Sequence, residues 1–187
     1  MAFHNQLILP AVRRMKDLEK LMLLDYEYII VLDIHLGQVK PVADMVKAHR
    51  KQLILHADLI EGLKNDEYAA EYLCQHIRPA GLISTRSGVI ATTKKNGLLA
   101  IQRLFLLDTN AVEKSYALIE RTQPDYIELM PGVIPHMIAE VHARTQIPVF
   151  AGGLIRTVED VERALEAGAS AVTTSQSELW RHFTKKG

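Results

Sequence analysis

Ile147-Pro148-Val149-Phe150-Ala151-Gly152-Gly153-Leu154-Ile155-Arg156-Thr157, then an amphipathic stretch to Gly168, then Ala171-Val172-Thr173-Thr174-Ser175: this passage decides how the chain folds. The run Ile147 to Ala151 is short and aliphatic, as a strand buried on both faces must be. Thr157 can cap a helix whose Val158, Val161 and Leu165 share one face, and Gly168 supplies the left-handed residue that ends it. A second aliphatic run, Ala171 to Thr174, follows at once. Strand, tight loop, capped helix and strand together make one right-handed parallel crossover.

The same unit recurs along the whole chain. Apolar runs occupy Leu7 to Leu9, Tyr28 to Leu32, Gln52 to His56, Ala80 to Ser84, Leu98 to Arg103, Tyr126 to Met130, Ile147 to Ala151 and Ala171 to Thr174. Their starts lie roughly 18 to 28 residues apart, close to the least that a strand, a helix and two loops require. Asp108 and Pro135 begin further helices, and Gly81 and Gly97 stand where helices return to strands. No linker or low-complexity tract interrupts the series, so one domain is expected over residues 1–187. Eight such units predict a closed (β/α)8 TIM-like barrel rather than an open doubly wound sheet, because closure leaves no edge strand exposed. With 187 residues the barrel is lean beside the usual length of about 250.

Composition narrows the function classes. Lys and Arg total 22 against 22 Asp and Glu, with 48% hydrophobic and 6% aromatic residues, the balance of a globular chain rather than a disordered one. A single cysteine, Cys74, makes no internal disulfide and reads as a small packed residue, which favours a reducing, cytoplasmic setting. Met1 to Gln6 lacks the basic start of a secretory signal, and no apolar stretch approaches the roughly 20 residues that span a bilayer. Zero net charge argues against whole-surface attraction to nucleic acid and leaves room only for a local basic patch.

In a barrel the chemistry gathers at the carboxyl ends of the strands. After the seventh and eighth runs, Gly152, Gly153 and Leu154 with Thr174 and Ser175 read as a phosphate cradle: glycines admit the anion to the backbone, and the following helix start offers N–H groups. The plainer reading is a tight turn. Asp33-Ile34-His35 and His56-Ala57-Asp58 form a mirror pair at the ends of adjacent strands, expected to share the barrel mouth with Glu128. Such a group binds polyol hydroxyls, holds a divalent metal or moves protons, or else merely caps loops; the spacing is not that of a metal site, so neither metal nor cofactor is expected. Arg13, Arg86 and Arg103 bring cations to the mouth, to grip a phosphate or to pair with Asp33 or Glu128. No lysine closes a strand, which weighs against a Schiff-base aldolase.

These residues resemble a known family. Phe3-His4-Asn5-Gln6, Leu32-Asp33-Ile34-His35-Leu36-Gly37-Gln38, His56-Ala57-Asp58-Leu59-Ile60, Ile83-Ser84-Thr85-Arg86-Ser87, Ile101 to Asp108, Met130-Pro131-Gly132-Val133-Ile134-Pro135 and Phe150 to Arg156 together look like the glycerol-3-phosphate responsive antiterminator proteins. The resemblance implies a cytoplasmic regulator rather than an enzyme. Loaded with glycerol 3-phosphate, it would act on the leader mRNA of glycerol-utilisation genes so that transcription passes a terminator. It implies ligand contacts from Asp33, His35, His56, Asp58, Arg103 and Glu128, with the phosphate on Gly152, Gly153, Leu154, Thr174 and Ser175.

The RNA surface is less legible, because no RNA-binding module signature occurs. Lys47, Arg50 and Lys51, Lys94 and Lys95, and Lys185 and Lys186 cluster at helix ends, on the barrel face opposite the ligand. Lysines favour helix C-termini through the macrodipole in any case. Ligand-driven ordering of the mouth loops, or a shift within a homo-oligomer, would couple the two faces. The alternative from another class is a small phosphosugar isomerase or phosphodiesterase, with Glu128 or Asp33 as base and His35 or His56 as acid. A structural or interaction protein with a vestigial pocket is the third reading.

Overall fold

The structure, a computed structural model, describes residues 3–184. Along the chain lie β1 (Ile8–Val12), α1 (Met15–Met22), β2 (Tyr28–Val31), β3 (Ile34–His35), α2 (Leu36–Ala48), β4 (Gln52–His56) and β5 (Ile60–Glu61). Next come α3 (Glu67–Tyr72), which runs into a π-turn over Leu73–Ile77, then β6 (Gly81–Ser84), α4 (Ser87–Lys95), β7 (Leu99–Phe105) and α5 (Thr109–Thr122). β8 (Tyr126–Met130), α6 (Pro135–Thr145), β9 (Val149–Gly152), α7 (Val158–Glu166), β10 (Ala171–Thr174) and α8 (Ser177–Phe183) complete it.

Eight of the strands close into one parallel ring, in the order β1, β2, β4, β6, β7, β8, β9, β10 and back to β1. The expected barrel is therefore present and the open-sheet alternative is excluded, since β1 pairs with both β2 and β10. Each of the eight apolar runs supplies one ring strand. The first run underestimates its strand, which continues through Pro10 to Val12; the proline is the last residue paired with β10, opposite Thr174, and Ala11 and Val12 go on to pair with β2. β3 and β5, two residues each, pair directly after β2 and β4 and leave no periodic trace in the sequence.

Alternation along the strands builds two cores. Outward residues such as Ile29, Val31, Leu53, Leu55, Ile127, Leu129 and Val172 pack beneath the helices. Inward residues, Leu9, Ile30, Ile54, Ile83, Ile101, Phe150 and Ala171, fill the barrel, and Phe3 closes its amino end with its ring edge-on to Tyr28, Tyr126 and Phe150 at 4.8 to 5.1 Å. Thr157 caps α7 as expected, in a reciprocal box with Asp160, and Asp108 caps α5. Cys74 is buried, where burial pushes its thiol pKa up.

Candidate functional site

Counting two residues on from the apolar interior gives the next layer toward the carboxyl end: His56 after Ile54, Arg103 after Ile101, Glu128 after Tyr126, Gly152 after Phe150 and Thr173 after Ala171. This layer is polar. Glu128 is 1% exposed, and its Oε2 accepts from Arg103 Nε at 2.6 Å while its Oε1 accepts from the Thr173 hydroxyl at 2.7 Å. Gly152 is required here, because a β-carbon would collide with the Thr173 hydroxyl and stand 3.1 Å from Glu128 Oε1. Gly153 and Leu154, at φ +76° and +60°, then turn the chain outward over the mouth.

Above this layer opens a cleft of about 260 Å³. Ala11, Leu32, Glu128 and Thr173 lie at its base; Gly153, Leu154, Ile155, Thr174 and Ser175 contribute a wall, and Arg13, Arg103 and Arg156 bring three guanidinium groups to one small space. Arg13 is held by an ion pair with Asp33, so one expected ligand residue acts by placing a cation. With Arg13 paired to Asp33 and Arg103 to Glu128, Arg156 is the surplus cation that suits the cleft to an anion, and Glu128 retains lone pairs for hydroxyl donors.

His56 is 2% exposed, and neither ring nitrogen has a hydrogen-bond partner. Val31 pairs with Leu55, so His56 stands beside Leu32, which lines the cleft, but His56 itself lies behind the lining. Burial, reinforced by the Arg103 charge and opposed by Glu128 and Asp58, lowers its pKa to about 4. The ring is neutral near pH 7, with one donor and one acceptor unspent.

The mirror pair is not brought together as expected. The strand ladder of β2 ends at Val31, so Asp33 sits at the rim on Arg13, while His35 is exposed on β3 and caps α2, its Nδ1 accepting from the Gly37 N–H at 3.1 Å. After His56 the chain winds into a 3₁₀ turn over Ala57–Leu59, and period-two alternation stops. Asp58 therefore meets the loop after β6, where it accepts from the Ser84 hydroxyl, the Thr85 N–H at 2.8 Å and the Thr85 hydroxyl at 2.6 Å. Burial alone would raise its pKa; these hydrogen bonds win and hold it below the ordinary carboxylate value.

The cradle is also modified in detail. Thr174 lines the cleft but turns its side chain away from the barrel interior; its hydroxyl accepts from the Gln176 N–H at 3.2 Å and its carbonyl from Trp180 Nε1 at 2.8 Å. Leu154 is 61% exposed and lines the cleft. The start of α7 serves itself: the Arg156 and Thr157 N–H groups donate to Asp160 Oδ2 at 2.9 and 3.0 Å, so these amides do not face the anion. Arg156 and Thr173 flank the expected cradle without belonging to the expected site set, and both line the cleft. The alternation from Ala171 carried the signal for Thr173, since it turns Thr173 inward and Thr174 outward.

Arg86 is exposed at the start of α4 and lines no part of the cleft. Of the basic residues, Lys47, Arg50 and Lys51 line one cleft at the other end of the barrel, whereas Lys94 donates to the Gln123 carbonyl and approaches Asp125. Lys95 is exposed, and Lys185 and Lys186 lie outside the described residues. Among the described residues no group of three His, Cys, Asp or Glu is placed to hold a metal, and no helix is long and apolar enough to cross a membrane.

Residues 8–180 match the family model described as glycerol-3-phosphate responsive antiterminator. The chain belongs to this family. A glycerol uptake operon antiterminator regulatory protein from Listeria monocytogenes is 47% identical and superposes with a TM-score of 0.94 over 97% of this chain and 98% of that one. A glycerol uptake operon antiterminator-related protein from Thermotoga maritima is 26% identical, with a TM-score of 0.81 over 94% and 98%. The uncharacterized protein YgcP of Escherichia coli is 28% identical over 91% of each chain. Deoxyribose-phosphate aldolases, at 14 to 16% identity, share the fold alone. Family membership supports a regulatory role.

Proposed function

We propose that this member of the antiterminator family is a glycerol 3-phosphate sensor which, when loaded, acts on the leader mRNA of glycerol-utilisation genes to promote read-through of a terminator. The observation that carries the ligand assignment is the cleft itself: Arg13, Arg103 and Arg156 line it together with Gly153, Leu154, Ile155 and Ser175, over the buried carboxylate of Glu128. A phosphate monoester meets the guanidinium groups and the loop amides, while two adjacent hydroxyls reach Glu128 and Arg103. A cleft of about 260 Å³ is small, as a three-carbon phosphate requires.

The same chemistry weighs against turnover. No lysine lines the cleft to form a Schiff base. Glu128 is tied on both oxygens, and an imidazole with a pKa of about 4 carries no proton to donate as an imidazolium near pH 7. The test pairs melting scans with phosphorus NMR. Glycerol 3-phosphate at about 100 times its dissociation constant should add roughly 2.7 kcal/mol of stability, glycerol and inorganic phosphate should add less, and the ester should be recovered unchanged. In single-round transcription on a glycerol-operon leader template, read-through should rise only with protein and ester together. Conversion of the ester to product, or no response to it, overturns the reading.

A further inference from the structure

The second cleft lies at the amino end of the barrel, opposite the proposed ligand site, with a volume of about 680 Å³. It separates the end of α2 from the π-turn after α3. Five cations line it, Lys40, Lys47, Arg50, Lys51 and Arg78, against one acid, Asp44. Three of the five make contacts within the fold: Lys40 pairs with Asp44, Lys51 Nζ donates to the Leu24 and Tyr26 carbonyls at 2.6 and 2.7 Å, tying α2 to the turn before β2, and Arg78 donates through Nε alone to the Gln75 carbonyl at 3.0 Å. Lys47, Arg50 and Arg78 are exposed and take part in no ion pair among the described residues.

The backbone beneath two of these cations is unusual for arginine. The helical segments of six consecutive units end on a left-handed residue: Arg50, Arg78, Gly97, Gln123, Gln146 and Gly168. Glycine adopts this conformation without steric cost, and arginine does not. The two arginines in the set belong to neighbouring units and flank the same cleft, with φ of +58° and +55°. A π-turn, a helix distortion often found at functional sites, leads into the second of them.

Aromatic rings lead out of the cleft. His76 is part of its lining, and its ring lies 5.2 Å from that of Tyr72 at an interplanar angle of 36°. Tyr68 stands one helical turn further up the same helix, and it and Tyr72 are 74% and 42% exposed. Exposed rings in succession beside unpaired cations fit a single nucleic acid strand, which offers phosphates to the cations and unstacked base faces to the rings. An acidic peptide would use the cations and leave the rings idle.

We infer that the cleft between the end of α2 and the π-turn, together with the ring ladder Tyr68, Tyr72 and His76, binds a single-stranded segment of RNA. The inference rests on the regulatory reading above and supplies its RNA face, on the opposite end of the barrel from the effector. Lys47, Arg50 and Arg78 take the backbone, and the rings take successive bases. Lys51 is excluded from that role because its ammonium is already spent within the fold.

Anisotropy titration of a fluorescein-labelled glycerol-operon leader transcript, with saturating glycerol 3-phosphate and a series of salt concentrations, tests this. The double variant Arg50→Gly, Arg78→Gly removes two cations at positions where glycine fits the backbone, so its melting temperature should hold or rise. Its affinity should fall at least about tenfold in low salt, and the slope of log affinity against log salt should shrink by about 1.4, as for two lost single-strand phosphate contacts. Tyr72→Leu should weaken binding about tenfold with the slope unchanged. Folded variants that bind like the wild type overturn the assignment and leave the regulatory reading standing. Wild-type protein that binds no RNA removes both. Displacement of the transcript by polyglutamate at equal charge concentration assigns the cleft to an acidic protein and also overturns it.

Discussion

His56 illustrates how one side chain links the interior of the barrel to its pH response. Its pKa is 6.5 in the unfolded chain and about 4 in the folded one, so between those values the unfolded state binds the extra proton. The stability that depends on the neutral ring is thus fully present above pH 6.5 and is lost as the pH falls toward 4. A shift of this size corresponds to about 3 kcal/mol. His56→Leu removes the titration while keeping an apolar group of similar size in the wall. Urea melts at pH 7 and pH 4 should show the stability difference between wild type and variant moving by about 3 kcal/mol in favour of the variant; equal pH dependence in both contradicts the burial argument. His56 was legible as a site candidate because it ends an apolar run. Its partner by symmetry in the sequence, Asp58, was misread, since nothing in His56-Ala57-Asp58 announces the 3₁₀ turn that carries the carboxylate away.

At the scale of the element, the loop from β9 into α7 separates two roles that the sequence runs together. Gly152 and Gly153 serve packing and chain direction at the cleft: Gly152 leaves room for Glu128 and Thr173, and Gly153 turns the chain at φ +76°. Thr157 and Asp160 satisfy the first N–H groups of α7 by themselves. Thr157→Ala should therefore cost about 1 kcal/mol of stability, as the loss of an N-cap does, which for a chain of this length lowers the melting temperature by roughly 2 to 4 °C. Glycerol 3-phosphate affinity, measured by calorimetry on the folded variant, should stay within about twofold; a large loss would mean that the start of α7 does hold the ligand. The helix itself was readable from its cap, its apolar face and its closing glycine. The two-residue strands β3 and β5 were not, because two residues carry no period.

For the whole molecule, the ring of eight strands follows from eight apolar runs at lean spacing, and closure follows from the cost of leaving edges exposed. Register was the harder part. Glu128 and Arg103 turned inward as an expected ligand pair, and they also pair with each other, the very contact that an arginine at the mouth was expected to make either with Asp33 or with Glu128; Arg13 makes the other. Asp33 moved to the rim, on Arg13, and His35 onto β3 because the β2 ladder ends at Val31. The resulting molecule carries an anion cleft at one end and a cationic groove at the other, with Phe3 plugging the interior between them. The most direct test of the effector assignment is a crystal structure of the protein grown with glycerol 3-phosphate. It should place phosphorus beside the Gly153–Ile155 main chain and Ser175, within reach of Arg13 or Arg156, and a glycerol hydroxyl on Glu128. Phosphorus bound elsewhere, or an empty cleft at saturating ligand, would contradict the account.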